Sequence, residues 1–484
     1  MRYFILLALC FITSRICKAQ YNGNIWTFGD SCMVDFTYFQ NPIIGKSSNE
    51  GRGSCCSISD SLGNLILYAH DGHIVPNSLE WGCARNRHHI KIQNGDSLKG
   101  TGWYQELVIV PKSFQLNRFF IFCTGITKDD KGLWYSEINM NANNDSGKVV
   151  KKNKALHYKV EAEGINAIKH GNGKDWWLIT RRVEPTYTVG FNYCDIYLIT
   201  DSGIGDSLTL NVGTLNLANA CKTAVSQDGK KIAFTNNMDL VEIFDFDRCT
   251  GIISNPKVAQ FQIPFGGDAF FGVEFSPNGN VLYTSELGNS KIFQYDLTAP
   301  NILQTRTIIY HDTSSTGLPF GGLKLAPDGH IYFTRWGCTH LGVIYNPDTL
   351  GLGCNFYPDT FYLGGHISNM SLPNNPNYEL GPDSGSVCDT LGLGIAPLSH
   401  GEGLGVRIFP NPTTGTFTIV YTHRYGGDIT CKVFDLLGNI EYQNSFDNAT
   451  NNQTIKLKNV PSGIYLVKVF DTGGIIGSTK LVVE

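Results

Sequence analysis

The sequence is poor in charge and in the residues that dominate helical proteins. Of its 484 residues, 17% are Asp, Glu, Lys or Arg, against about 25% in typical soluble domains, and only 5 are Met. The formal net charge is −4, so the chain has no excess of positive charge for a broad nucleic-acid-binding surface. Beyond the first residues, no apolar run approaches the ~20 residues that span a bilayer. We therefore expect neither a helical bundle, nor a disordered chain, nor a nucleic-acid or transmembrane protein.

Glycine, proline and aromatic residues are abundant instead. The chain has 53 Gly, 19 Pro, 22 Tyr and 28 Phe. Aromatic residues favour strands, and Gly and Pro favour tight turns, so this composition is typical of many short strands. The length also exceeds one ordinary domain, which indicates two or three domains, or a repeat array plus a further module.

The N-terminus has the pattern of a secretory signal peptide. Arg2 precedes a nine-residue apolar run at 4–12, and Cys17 and Ala19 lie at the −3 and −1 positions of a cleavage site before Gln20. The sequence therefore predicts a signal peptide at 1–19, removed by the signal-processing machinery between Ala19 and Gln20.

The chain has 14 cysteines, two of them in the predicted signal peptide. Cysteines in an exported chain favour disulfides, but spacing alone does not give the connectivity. Nearness in sequence suggests Cys221–Cys249 and Cys338–Cys354. No C-x₂-C pair exists, so the spacing does not favour a zinc site.

A hairpin pattern recurs through residues 57–335. A β-rich run, a turn of Asp or Asn with Gly, and a second β-rich run appear at 57–69, 224–236, 273–285 and 323–335. The last three place Gly229, Gly279 and Gly329 at intervals of 50 residues, which is the length of a propeller blade. Gly supplies the positive φ that reverses the chain. Inner strands are expected to start near residues 57, 107, 165, 223, 273 and 323.

The two ends of this array are expected to close the ring together. Residues 366–373 form a strand-like run without a following partner, and residues 24–37 form one without a preceding inner strand. Pairing them would give a seventh blade and remove the exposed edges. The sequence therefore predicts an all-β chain with a propeller of about seven blades at 20–379; six or eight blades remain open.

The spacing of the strand-like segments changes after residue 404. Residues 380–404 are rich in Gly, Ser and Pro, which indicates a linker. Roughly seven short strands follow within ~80 residues, which predicts a small Ig-like β-sandwich at 405–484.

Four segments of this last region carry a resemblance. They are FPNPTTGTFTI (409–419), VFDLLGNI (433–440), VPSGIYLVKV (460–469) and KLVV (480–483). In order and spacing they resemble the type A C-terminal sorting domain of the type IX (Por) secretion system of Bacteroidetes. The preceding repeats resemble, more loosely, the WD40-like or gliding-motility-associated propellers that accompany such domains. The residues that carry the sorting motif are Pro410, Asn411, Pro412, Gly415, Gly438, Gly463, Tyr465 and Lys480.

The resemblance implies a route of export. The signal peptide would deliver the chain to the periplasm, and the folded sorting domain would be recognised by the type IX translocon in the outer membrane. The protein would then reach the cell surface or the extracellular space. The sorting domain is typically removed, and the cargo is released or attached to the surface.

Catalytic and metal-binding patterns are weak. Glu161 and Glu163 could act as paired carboxylates, although a solvated strand face is the favoured interpretation. Asp245 and Asp247 could bind calcium, but turn capping is favoured. The remaining candidates are a metal role for His88 and His89, sugar stacking by Trp176, Trp177 and Trp336, and a channel metal held by His73, His330 and His366.

No motif in this list specifies a reaction. We therefore expect the propeller to be a non-catalytic module that binds a surface protein or a glycan, or serves as a scaffold, without a cofactor. The alternative is an extracellular hydrolase-, lyase- or lactonase-like propeller with a site, and a metal such as calcium, at the central channel. Three or more His, Asp or Glu side chains converging there would favour the enzyme.

Overall fold

The computed structural model describes residues 22–484, apart from 76–77, 81, 101–103, 114, 126–130, 184–189, 264–268, 289, 315–317, 390–405, 422–427, 436–437, 447–451, 459 and 472–473. The predicted signal peptide and its cleavage site therefore lie outside the described residues. The chain divides into two compact units, 1–389 and 390–484.

The first unit contains seven antiparallel sheets that follow one another along the chain. Blade 1 contains β1 (Ile25–Phe28), β2 (Cys32–Asp35) and β3 (Ile43–Lys46), and blade 2 contains β4 (Cys55–Ser59), β5 (Leu65–His70) and β8 (Cys83–Asn86), with a separate hairpin of β6 (His73–Val75) and β7 (Ser78–Glu80). Blade 3 contains β9 (Leu107–Pro111), β10 (Arg118–Gly125), β11 (Gly132–Asn139) and β12 (Lys148–His157), and blade 4 contains β13 (Asn166–Lys169), β14 (Trp176–Arg181), β15 (Phe191–Thr200) and β16 (Gly203–Asn216). Blade 5 contains β17 (Cys221–Val225), β18 (Lys231–Asn236), β19 (Val241–Phe246) and β20 (Ile253–Gln260); blade 6 contains β21 (Phe270–Phe275), β22 (Val281–Glu286), β23 (Lys291–Asp296) and β24 (Thr307–His311); and blade 7 contains β25 (Phe320–Leu325), β26 (Ile331–Arg335), β27 (His340–Ile344) and β28 (Phe356–Tyr362). Three short helical turns, Ala142–Asp145, Ile302–Thr305 and Gly351–Cys354, lie in connections between outer strands. The all-β fold and the count of seven blades are confirmed.

The repeated turn has the chemistry that the sequence predicts. In blade 5, Gly229 has φ +70°, and its N–H donates to the carbonyl of Ser226. The Asp228 carboxylate accepts from the Ser226 hydroxyl and from the Lys230 N–H. Gly279 and Gly329, at the same position in blades 6 and 7, have φ +68° and +83°. A side chain would be strained at each of these positions, which explains the strict spacing of glycine.

Hydrophobic packing between neighbouring sheets holds the ring together. One buried cluster spans blades 2, 3 and 4, and others join blade 4 to 5, 5 to 6, 6 to 7 and 1 to 2. Trp26 and Phe28 of blade 1 pack with Tyr332 and Leu341 of blade 7. Each fully buried large side chain of this kind contributes about 1.5–3 kcal/mol to stability.

The predicted closure of the ring is wrong. Residues 25–46 form blade 1 by themselves, and residues 366–373 supply no inner strand to it. Among the described residues, the backbone pairing between the two ends is one bridge, Asp30 to Ile367, and Leu372 belongs to the same buried cluster as Trp26. The ring closes by the packing of blade 1 on blade 7. Residues 366–373 are not part of either blade.

Residues 366–373 and those that follow run through the central channel. We call residues 366–389 the axial segment. Met370 lies at the start of the inner strands, where its carbonyl accepts from the Gly322 N–H. Further along, Asn374 contacts Leu107 and Ile165, and the Tyr378 carbonyl accepts from Lys169, the last residue of β13. The segment thus runs along the inner strands from one end of the ring to the other.

The end of the axial segment is bonded to residues in the connections between the strands of blade 5. Arg248 donates to the carbonyl of Gly381, and Lys230 forms a 3.0 Å ion pair with Asp383. A disulfide joins Cys249 to Cys388. The pairings suggested by sequence proximity are therefore wrong: Cys221, Cys338 and Cys354 are free thiols. Residues 380–389 of the predicted linker pack on the propeller, and residues 390–404 lie outside the described residues.

The second unit is a sandwich of two antiparallel sheets. One sheet has the order β29–β30–β33, with β29 (Val406–Phe409), β30 (Thr416–Tyr421) and β33 (Asn452–Lys456). The other has the order β32–β31–β34–β35, with β31 (Ile429–Phe434), β32 (Ile440–Phe446), β34 (Gly463–Asp471) and β35 (Gly474–Val483). Alternating side chains such as Phe417, Ile419, Val467 and Val469 form its core. The seven strands agree with the predicted β-sandwich.

Candidate functional site

The predicted sorting motif is assembled around the last strand of the sandwich. The Asn411 side chain donates to the carbonyl of Lys480 and accepts from the Val482 N–H, both at 2.8 Å. Thr413 continues the pairing, because its N–H donates to Val482 and its carbonyl accepts from the N–H of Glu484. The turn between Pro410 and β30 and the C-terminal strand, 69 residues apart in sequence, therefore form one continuous edge.

The other motif residues shape the turns of the sandwich. Gly415 and Gly438 have φ +102° and +89°, a conformation that favours glycine. Gly463 opens β34, and the Tyr465 hydroxyl donates to the carbonyl of Pro461 at 2.7 Å. Pro412 lies between Asn411 and Thr413 in the paired turn. The motif therefore consists of residues that fix backbone geometry.

The central channel of the propeller is filled by the axial segment over much of its length. Asn374 donates to the carbonyls of Leu107 and Ile165 at 2.8 Å and accepts from Gln105 at 2.6 Å. The Ser371 hydroxyl accepts from Lys222 and donates to the carbonyl of Tyr104. These buried polar groups of the segment are therefore satisfied by the strands that surround it.

Charged groups surround the end of the channel at which the segment enters. Asp71, Glu106 and Glu163 are buried beside the inner strands of blades 2, 3 and 4. Burial raises the pKa of Asp71 well above its usual range, and the charge of Glu163 adds to that rise. Burial also lowers the pKa of Lys222 to about 8. These carboxyl groups are the ones that the enzyme alternative would use, but among the described residues their oxygen atoms do not form a cluster of metal-site size.

At the other end of the channel, a cavity of about 350 Å³ opens beside the axial segment. Most of its lining comes from blades 1, 5, 6 and 7, and the rest comes mainly from the axial segment itself. Its deeper part contains Glu274 and Lys324, whose charged atoms are 3.9 Å apart. Asn24 and Phe39 of blade 1 also line it. No sequence pattern singles these residues out, because four blades contribute them.

Glu161 and Glu163 do not form the predicted solvated pair. Both are buried, with Glu161 fully inaccessible. The segment around them is not a regular strand, so the two side chains part: Glu161 contacts His157, whereas Glu163 lies near Asp71 and Lys222. The prediction failed because period-two alternation applies only to extended backbone.

His157, Glu161 and Asp195 have ligand atoms within 4.8 Å of one another, which is a spacing that a metal ion could use. However, the Lys159 N–H donates to His157 Nδ1, so the ring proton lies on Nε2, which is 3.1 Å from Glu161. Asp195 already accepts two hydrogen bonds from Arg182. His157 Nε2 contacts Glu161 without hydrogen-bond geometry, and neither this nitrogen nor the Glu161 carboxylate oxygens have a hydrogen-bond partner among the described residues.

The remaining predicted site residues serve the fold. Asp247 accepts from the Cys249 N–H and from Thr250, and Asp245 accepts from Asn255, as turn-capping acids do.

Trp176 and Trp177 are buried between blades, whereas Trp336 is 39% exposed with Arg52 over its ring. His89 contacts Tyr68, and His88 lies beside Arg87. His330 pairs with Asp328, His366 follows β28 elsewhere on the ring, and the side chain of His73 lies outside the described residues.

Comparison with known proteins identifies the second unit. Residues 407–484 match the secretion system C-terminal sorting domain family. No curated protein matches the chain in sequence. Among the described residues, no helix has the length and apolarity needed to cross a membrane. The chain ends in a type IX (Por) sorting domain and is secreted to the cell surface or the extracellular space.

The chain is also similar to solved structures. The Dos1 propeller aligns over 72% of this chain and 87% of its own, with 10% identity and a TM-score of 0.42. A protein from Lactobacillus plantarum aligns over 86% and 99%, with 11% identity and a TM-score of 0.40. A putative 6-phosphogluconolactonase from Bacteroides uniformis aligns over 81% and 99%, with 12% identity and a TM-score of 0.38. The propeller assignment rests on the seven sheets of the chain itself, and no activity is carried over from these proteins.

Proposed function

We propose that this secreted chain, which carries a sorting domain and a seven-bladed propeller, presents the propeller as a non-catalytic module that binds a surface protein or a glycan, or acts as a scaffold. The type IX translocon recognises the C-terminal sandwich after the signal peptide has delivered the chain to the periplasm. The propeller is the cargo, and its loops face the partner.

The filled channel is the observation that supports this role best. The axial segment runs along the inner strands, and its buried amide and hydroxyl groups are bonded to strand carbonyls and to Lys222. A substrate that entered where Met370 lies would have to displace these hydrogen bonds. Removing a partner from a buried polar group costs about 1–3 kcal/mol, and several such groups would lose theirs together.

The enzyme alternative retains one favourable observation. Asp71, Glu106 and Glu163 are buried carboxyl groups near one channel mouth, and a group whose pKa is raised by burial, as that of Asp71 is, can act as a general acid. Under this alternative, Glu163→Gln abolishes a hydrolytic, lyase or lactonase activity of the purified protein.

The experiment pairs a binding assay with an activity screen. The intact protein without its signal peptide is incubated with outer-surface material from the producing cells, and the same preparation is screened on lactone and glycoside substrates. Binding without turnover supports the proposal. Turnover that is lost in Glu163→Gln overturns it in favour of the enzyme.

The export step has its own test. A chain truncated after Leu404 is expected to fold its propeller and remain in the periplasm, because the surface read by the translocon is missing. Normal surface delivery of this truncated chain contradicts the proposed route.

A further inference from the structure

The cavity beside the axial segment has the shape of a small-ligand site. Its volume of about 350 Å³ lies at the lower end of the range of pockets that hold small molecules. Blades 1, 5, 6 and 7 form one wall, and residues Asn375–Glu379 of the axial segment form the other. The cavity therefore lies between the axial segment and the surrounding blades.

Buried and half-buried polar groups line this cavity. Asn24 is 1% exposed, and its amide nitrogen Nδ2 has no hydrogen-bond partner among the described residues. Leaving such a donor unpaired costs about 1–3 kcal/mol, so a ligand acceptor at this position is favoured. Gln227 accepts from Asn377 with its side-chain oxygen, and no protein acceptor of its amide NH₂ lies among the described residues. The cavity thus offers amide donors on two sides.

The charges in the cavity do not suit an anionic ligand. Lys324 donates to the carbonyl of Asn375 at 2.9 Å and lies 3.9 Å from Glu274. Glu379, at the mouth, adds a second carboxyl group. A phosphate or carboxylate ligand would have to compete with Glu274 for Lys324, the basic residue among the described lining residues.

An aromatic ring completes the lining. Phe39 borders the cavity and is 43% exposed. An exposed ring beside amide groups suits a ligand with one apolar face and a rim of hydroxyl groups, which both donate and accept hydrogen bonds. A pyranose ring has this combination.

We propose that this cavity binds a neutral saccharide unit, with Asn24 and Gln227 bonded to its hydroxyl groups and Phe39 packed on its apolar face. This inference rests on the proposed binding role of the propeller and narrows its partner to a glycan. Lys324 and Glu274 contact the ring end that enters deepest. The axial segment forms part of the site, so the site exists only in the folded chain with the segment in place.

The test measures saccharide binding to the mature, full-length protein. Neutral monosaccharides and disaccharides of glucose, mannose, galactose and N-acetylglucosamine are compared with glucuronate by saturation-transfer NMR and calorimetry. We expect at least one neutral sugar to bind with a Kd of about 1 mM or tighter, and glucuronate to bind more weakly than the neutral sugars.

Two variants place the binding in the cavity. Asn24→Leu keeps the volume of the side chain and removes its amide, and we expect about a tenfold loss of affinity. Phe39→Ala removes an exposed ring and should lower affinity severalfold without affecting the fold. Phe261→Ala, which removes an aromatic ring that is 57% exposed and outside the cavity lining, is the matched control and should bind as the wild type does.

Three results would overturn the inference: no neutral sugar binds, glucuronate binds most tightly, or Phe39→Ala binds unchanged. Each is distinguishable from failure of the proposed function. A propeller that captures a surface protein but no sugar keeps its binding role and loses this site. A sugar that binds and is then cleaved keeps the site and ends the non-catalytic role.

Discussion

Replacing Asn374 with Ala should destabilise the propeller far more than the loss of one side chain suggests. The Asn374 amide group makes three hydrogen bonds, to the carbonyls of Leu107 and Ile165 and from Gln105. Gln105 keeps a second acceptor, the carbonyl of Thr223. The variant therefore leaves two buried carbonyls without this partner.

The expected magnitude follows from those two carbonyls. Each buried acceptor left unpaired costs about 1–3 kcal/mol, so Asn374→Ala should lower the free energy of unfolding by about 2–6 kcal/mol. Asn377→Ala is the matched control on the same segment. Its amide bonds only exposed groups, Gln227 and the N–H of Glu379, so we expect a loss of less than about 1 kcal/mol.

Chemical unfolding followed by tryptophan fluorescence measures the difference. Trp176 is a suitable probe because it is buried and its ring centroid lies 5.8 Å from that of Tyr378 in the axial segment. Equal effects of the two variants would show that the axial segment is not anchored in the channel. The argument for a filled channel would then fail as well.

Three further predictions concern the disulfide, a buried ion pair and the sorting domain. Cys388→Ser should lower the free energy of unfolding by about 2–4 kcal/mol, because the bond closes a loop with a sequence separation of 139, and reductant should then have no further effect on the variant. Burial acts to raise the pKa of Asp195, but hydrogen bonds from Arg182 and Thr209 hold it below its usual value, so its stabilisation is complete above pH ~3.9 and lost as the pH falls through the folded-state pKa. Asp195→Asn should therefore cost about 3–5 kcal/mol at pH 7, and a difference from wild type that fails to shrink in acid contradicts this reasoning. Asn411→Ala should lower the unfolding free energy of the sandwich by about 1–3 kcal/mol, measured by thermal unfolding, and should reduce surface delivery. The control Asn444→Ala, at an exposed residue, should do neither. Unchanged stability with reduced delivery would instead place Asn411 in direct contact with the translocon.

The sequence was most informative where a local rule applies. Gly229, Gly279 and Gly329 lie in turns with positive φ, and this local requirement made the blade period visible. The sorting domain was recognisable for the same reason, since its motif residues fix turns and strand ends.

Expectations failed where two distant segments had to be matched. Spacing along the chain could not indicate that Cys249 pairs with Cys388 across 139 residues. Strand periodicity predicts that Glu161 and Glu163 are neighbours on one face, yet the backbone there is irregular, so that Glu161 contacts His157 and Glu163 lies near Lys222. Both errors come from applying a local rule to contacts that the fold determines.

The sequence by itself determined the blade repeat, the all-β class and the C-terminal sorting domain, because each depends on residues close together in the chain. Only the tertiary structure decided how the ring closes, where residues 366–389 run and which side chains share the cavity. A propeller brings one or two residues from each blade to a common axis, and residues separated by a whole blade have no local signal in common. The cavity lined by Asn24, Gln227 and Lys324 is therefore a property of the closed ring.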